Sequence, residues 1–149
     1  MEFRSAKPED YEAIRLFLAE AGWQHRVSDP ERFRAMLEKT DRAIVACEDA
    51  RVIGFARALC DGVSNGYISM VAVASDWRGQ GIGRKLVECL MGDDSSSSGN
   101  ITWVLRAGRG SEGFWEKVGF RASEVAMERV REVENEKCKM QKVRRSQFD

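Results

Sequence analysis

The stretch Val71-Ala72-Val73-Ala74-Ser75-Asp76-Trp77-Arg78-Gly79-Gln80-Gly81-Ile82-Gly83-Arg84 decides how the rest of the chain is read. Before it, Tyr67 to Val73 is almost continuously apolar, the pattern of a central strand. After it, Ile82, Leu86, Cys89 and Leu90 recur at helical spacing. The glycines therefore sit between a buried strand and a helix N-terminus. Such an end leaves backbone N–H groups unpaired and carries partial positive charge, which suits a phosphate or diphosphate. Gly79, Gly81 and Gly83 let the main chain come close to an anion and take positive φ where needed. Arg78 and Arg84 add charge beside them. A dinucleotide fingerprint requires glycine where Arg84 stands, and a P-loop requires Gly-Lys followed by Ser or Thr, so neither motif is met.

Working outward toward the N-terminus, Asp61 to Gly66 is a turn cluster that feeds the strand. Ala43–Cys47 and Val52–Leu59 are β-rich runs separated by the polar break Glu48–Arg51, the pattern of a hairpin. Two helices precede them. Lys7-Pro8-Glu9-Asp10 starts the first, Ile14, Phe17, Leu18 and Ala21 form its apolar face, and Gly22 stops it. Ser28-Asp29-Pro30-Glu31 caps the second, with Phe33, Met36 and Leu37 on one side. The connector between them, Trp23-Gln24-His25-Arg26-Val27, is rich in side chains that stack or hydrogen-bond, as a pocket border would be. Phe3–Ala6 opens the chain as a short extended piece.

Toward the C-terminus, 92–100 is polar and Ser-rich, a surface loop too short to link domains. Ile101–Leu105 predicts a strand, Glu112–Val118 a short helix stopped by Gly119, and Phe120–Val130 a further strand. This interleaved order is α/β with an antiparallel start. After Val130 the chain is charged and poor in apolar residues, which predicts a disordered or frayed tail. The expected organisation is one domain over residues 1–130 and a charged tail over 131–149.

Composition narrows the function classes. A chain of 149 residues holds one good core, and 43% hydrophobic with 32% charged residues is a globular balance. Lys+Arg and Asp+Glu each count 24, so no net field draws the molecule to nucleic acid or an anionic membrane. Cys47, Cys60, Cys89 and Cys138 form no C-x-x-C pair and have no adjacent His, which predicts reduced thiols and no metal site. With neither a signal-peptide pattern nor a run approaching the roughly 20 apolar residues of a membrane span, a cytoplasmic location is expected.

Arg78-Gly79-Gln80-Gly81-Ile82-Gly83 matches Arg/Gln-x-x-Gly-x-Gly/Ala, and Val71 to Trp77 looks like Val-x-Val-x-Pro-x-Tyr/Trp. Phe114-Trp115-Glu116-Lys117-Val118-Gly119-Phe120 is similar to Phe-Tyr-Glu-Lys-Leu-Gly-Phe. These are two signatures of the GNAT family of N-acetyltransferases, and the resemblance spans roughly residues 43–130. It implies the acyl-CoA N-acyltransferase fold, a mixed and mostly antiparallel sheet flanked by helices. It also implies acetyl-CoA as co-substrate without a metal, and direct transfer of the acetyl group to an amine. By the same resemblance Val71, Ala72 and Val73 lend main-chain groups to the pantetheine and thioester. Arg78, Gly79, Gln80, Gly81, Ile82, Gly83 and Arg84 hold the diphosphate, and Trp115 flanks the cofactor. The implied partner is a small-molecule or peptide amine, bound by a monomer or homodimer, with no nucleic acid and no membrane.

The chain departs from the family where Trp115 replaces a frequent tyrosine, because an indole N–H donates a hydrogen bond but not a proton at ordinary pH. An asparagine found in many members before the second signature is also missing from Ala107-Gly108-Arg109-Gly110. These losses keep a second reading open, a CoA-binding regulatory module with little or no turnover. For catalysis, Asp61 and Tyr67 flank the turn before the central strand and are the candidates beside the acetyl end. Trp23 and His25, in the interhelical connector, are the candidates for the acceptor pocket.

Overall fold

A computed structural model describes residues 1–92 and 101–130 of the chain. The tail from 131 onward and most of the Ser-rich loop, 93–100, lie outside the described residues. The chain divides into two units, Met1–Val118 and Gly119–Asp149. Among the described residues, the first holds every helix and strand.

Five strands form one sheet in sequence order: β1 (Glu2–Ser5), β2 (Arg42–Glu48), β3 (Arg51–Cys60), β4 (Asn65–Val73) and β5 (Thr102–Leu105). The pairs from β1 to β4 are antiparallel, and β4–β5 is parallel. The hairpin expected of Ala43–Leu59 is β2–β3. Asp49 and Ala50, at its tip, both have positive φ, the mirror-image turn that matches strand twist. In β4 one residue is extra: Arg57 pairs with Ser69 and Phe55 with Ala72, and Met70 takes φ 58 to absorb it.

The helices are α1 (Tyr11–Leu18), α2 (Gln24–Val27), α3 (Pro30–Glu38), α4 (Ile82–Met91) and α5 (Glu112–Lys117). Gly22, with φ 98, ends the first helical run as expected, but 24–27 is a helical turn where the sequence suggested only a connector. Asp29 caps α3, its Oδ1 accepting from the Glu31 and Arg32 amides at 3.1 Å each. The start of α1 is tied to β1 by Arg4, which donates to both carboxylate oxygens of Asp10 at 2.7 and 2.9 Å.

Helix α4 packs against β2, β3 and β4, and α1 packs against β3 and α3. Ile14, Leu18, Val27, Val45, Ile53, Phe55, Leu86 and Leu90 are fully buried between these layers. Gly54 is what lets α4 come close, since a Cβ there would stand 2.9 Å from Leu86 Cδ1 and 3.3 Å from Ile82 Cγ2. The predicted strand over Phe120–Val130 is a correction, for no residue from 119 to 130 is in a strand. Ser123 Oγ accepts from the Val125 and Ala126 amides at 3.3 and 3.0 Å, a side-chain turn that competes with a β-ladder, and Val125 and Met127 are exposed.

Candidate active site

Strand β4 is paired with β5 only over Asn65–Ile68, against Thr102–Leu105. From Ser69 to Val73 it runs on with no strand among the described residues on that side, so five residues present an open main-chain edge within the sheet. The edge leads directly into the glycine turn. Ala74 N–H bonds back to Ile53 O at 2.8 Å, Ser75–Trp77 makes one 3₁₀ turn, and Arg78 is extended. Gly79 and Gly81 both have positive φ, 78 and 79, a conformation that side chains rarely adopt. A Cβ at either would meet nothing within 4 Å, so this face of the turn is open. Behind it α4 begins at Ile82, with its first amides free of intrahelical partners.

Gly83 serves a different purpose from the other two. A Cβ there would lie 3.2 and 3.3 Å from the ring of Phe114, so glycine lets α5 sit close on the first turn of α4. Phe114 meets Trp115 edge-on at 4.9 Å, and Trp115 is only 9% exposed. The second signature therefore packs α5 beside the turn that carries the first. Of the two flanking cations, Arg78 donates from Nε to Val73 O at 3.2 Å, fastening the end of β4. Arg84 pairs with Glu88 one turn along at 2.9 Å.

A family model described as the acetyltransferase (GNAT) domain matches residues 5–140. The chain belongs to the GNAT family. No curated protein matches it in sequence. Among solved structures, a transcriptional regulator from Bacillus halodurans C-125 is 26% identical, with a TM-score of 0.69 and 87% and 98% of the two chains covered. The ribosomal-protein-alanine N-acetyltransferase of Brucella melitensis biovar Abortus 2308 is 23% identical, with a TM-score of 0.68 over 88% of this chain and 99% of that one. Glucosamine-6-phosphate N-acetyltransferase from Arabidopsis thaliana is 19% identical, with a TM-score of 0.65 over 87% and 97%. At those two lower identities the likeness is one of fold. The predicted GNAT fold, a mixed and mostly antiparallel sheet with flanking helices, is the fold found.

The candidate catalytic pair of this GNAT domain is placed unevenly. Asp61 is in the β3–β4 turn, and its Oδ1 accepts from the amides of Val63, Ser64 and Asn65 at 2.8, 2.8 and 3.1 Å. Its Oδ2 accepts from Ser64 Oγ at 2.6 Å. The Ser64 hydroxyl and these amides hold the carboxyl far below the usual carboxylate range, so Asp61 is a weak base that locks the turn. Tyr67 is half-buried on β4, opposite Leu59 on one side and Val104 on the other. Trp23 is half-buried and His25 exposed at the α1–α2 corner. Arg26, just beyond, lies 5.9 Å over the Trp23 ring.

Sequence reasoning passed over Arg57. It is the buried charged residue of the described core, 9% exposed on β3, and its Nε and Nη1 have no hydrogen-bond partner among the described residues. Burial lowers its pKa, the charge of Arg26 lowers it further, and Tyr67 raises it. The signal was a guanidinium in the otherwise apolar run Val52–Leu59. Two surface clefts, about 600 and 510 Å³, open elsewhere: one beside Arg4 and Cys47, the other beside Arg42 and Cys89. Neither includes the glycine turn. Among the described residues no helix is long and apolar enough to cross a membrane, and no cluster of His, Cys, Asp or Glu stands ready for a metal.

Proposed function

We propose that this GNAT domain transfers an acetyl group from acetyl-CoA directly to an amine, without a covalent enzyme intermediate. The observation that carries the reading is the unpaired β4 edge over Ser69–Val73 running straight into the glycine turn. An extended pantetheine can hydrogen-bond to such an edge as a further strand would. The open face at Gly79 and Gly81 and the first amides of α4 suit the diphosphate that follows it. The same edge offers N–H donors to the carbonyl oxygen that gains charge during transfer.

Acetyl-CoA, when bound, supplies an activated thioester. In the reaction the amine nitrogen forms a C–N bond to the acetyl carbon as the C–S bond breaks, and its electron pair stays on sulfur. One proton leaves the incoming ammonium before attack, the nitrogen sheds a second as the amide forms, and the thiolate takes one up, so that a net proton is released to solvent. Asp61 is spent on its turn and Trp115 has no acidic proton, so neither is assigned to these transfers. The contribution of the protein is then orientation and an electrostatic cradle. With Trp115 in place of a proton-donating tyrosine, a second reading stands beside the first, an acyl-CoA-binding module that does not turn over. Thiol release measured with acetyl-CoA and a broad amine panel separates the two: turnover is expected, and tight CoA binding with no thiol release from any amine would favour the binding module.

A further inference from the structure

We infer that the acceptor amine carries an oxyanion of its own, and that Arg57 is the residue that binds it. The inference rests on the transfer reading above and names the acceptor class for that site. Arg57 is nine-tenths buried, yet Nε and Nη1 meet no acceptor among the described residues. Among the described residues no carboxylate is ion-paired with it. An unpaired buried guanidinium is strongly destabilising, so it is retained where something else provides the counter-charge.

Its neighbours compound the deficit. The other charge felt at Arg57 is that of Arg26 on α2, another cation, which lies over the Trp23 ring and likewise has no carboxylate partner among the described residues. On the sheet, Arg57 pairs with Ser69 and Leu59 pairs with Tyr67, so two hydroxyl side chains share its face. This is a donor-rich, acid-free patch of two guanidiniums and two hydroxyls, arranged for an acceptor-only group. Carboxylate and phosphate both match the guanidinium fork.

Position ties this patch to the reaction. Ser69, across from Arg57, is the first residue of β4 beyond the β5 pairing, where the open edge begins. Directly opposed residues of an antiparallel pair lie about 5 Å apart. An anion on Arg57 is then within a small molecule's length of an amine at the edge, which selects amino-acid-sized acceptors over long polyamines. Leu59, Tyr67 and Val104, aligned across three strands, add a partly exposed apolar row for the remainder of the molecule.

The test compares acceptors in pairs that differ only in charge: amino acids against their carboxamides, and O-phosphoethanolamine against ethanolamine. Thiol release is measured for wild type, Arg57→Gln and Arg57→Lys. The expected result is an anionic best acceptor preferred over its neutral partner by about 100-fold in kcat/KM, mostly through KM. Arg57→Gln should remove most of that preference, and Arg57→Lys should keep part of it. Which pair shows the preference tells carboxylate from phosphate. Equal rates within every pair, or a preference that survives in folded Arg57→Gln, would overturn the assignment. Melting curves with CoA and the same compounds read binding without turnover, so they still decide the matter if no amine is acetylated. Anionic members should then stabilise wild type and not Arg57→Gln, and their failure to do so would overturn the proposal. Without ligand, Arg57→Gln should melt at or above the wild-type temperature, whereas a merely structural arginine would leave it lower.

Discussion

At the scale of single residues, the glycine turn divides into positions set by backbone geometry and one open to manipulation. Gly79 and Gly81 need positive φ, and Gly83 makes room for Phe114, so substitutions there mix strain with ligand effects. Gln80 lies between them, exposed and without positive φ, and is the cleaner probe. Gln80→Glu is expected to leave unliganded stability unchanged or slightly raised, because a carboxylate before a helix N-terminus is favourable. It should weaken CoA binding about tenfold by repulsion from the diphosphate. Titration calorimetry with a melting control checks this, and unchanged affinity would move the diphosphate away from the turn. Asp61 yields a pH prediction. Its folded pKa is depressed, so its contribution is present above the unfolded value of about 4 and is lost as pH falls through and below it. The melting-temperature gap between wild type and Asp61→Asn should be widest near neutral pH and close in acid. A gap constant between pH 7 and 3 would mean that the carboxylate is not held by the Ser64 hydroxyl and the turn amides. The sequence located Asp61 beside the central strand, but it could not tell a free carboxylate from one with four donors around it. Arg57 was hidden for the opposite reason: its lack of partners is a property of the assembled core, invisible in a strand-like run of residues.

At the scale of elements, the hairpin, the capped α3, the α4 start and the short α5 were legible because each depends on local chemistry. Asp29 caps through its neighbours' amides, and Gly22 and Gly119 stop helices through their own φ. What local pattern could not supply was the β4 bulge at Met70. A methionine at φ 58 is not asked for by its own sequence and is imposed by neighbouring strands. The Phe120–Val130 error has the same origin, since β-like composition alone does not make a strand, and here the Ser123 hydroxyl takes the Val125 and Ala126 amides that a ladder would use. The parallel β4–β5 seam includes one tight contact. A Cβ on Gly66 would overlap ring atoms of Trp103, and the Arg42 guanidinium lies 5.6 Å over the same ring. Gly66→Ala should therefore cost about 2–3 kcal/mol in denaturant unfolding by overpacking. Adding Trp103→Leu should restore part of the loss, a coupling that identifies the ring as the obstacle. If Gly66→Ala alone were neutral, β5 would not be seated against β4 in the register found, and the open edge beyond Ile68 would need another explanation.

At the scale of the whole molecule, Lys+Arg and Asp+Glu cancel at 24 each, so affinity for a polyanionic ligand has to come from local geometry. That separates a built CoA site from general attraction to phosphates. A ligand that binds only the folded chain stabilises it by about 2.7 kcal/mol at one hundred times its Kd. For a chain of this size the gain corresponds to a melting shift of roughly 5–10 °C. Acetyl-CoA should produce a shift of that order, growing with concentration. ATP and NAD at equal concentration should do much less, because each brings phosphates to the α4 amides but no pantetheine to extend along Ser69–Val73. The comparison is best made at two salt concentrations. Screening weakens a diffuse charge effect throughout, whereas hydrogen bonds to a strand edge persist. Differential scanning fluorimetry of the full chain provides the measurement. Equal shifts with ATP, or an acetyl-CoA shift abolished by moderate salt, would mean that the glycine turn binds phosphates without the edge contributing, and the β4 opening would lose its assignment as the acyl-CoA channel.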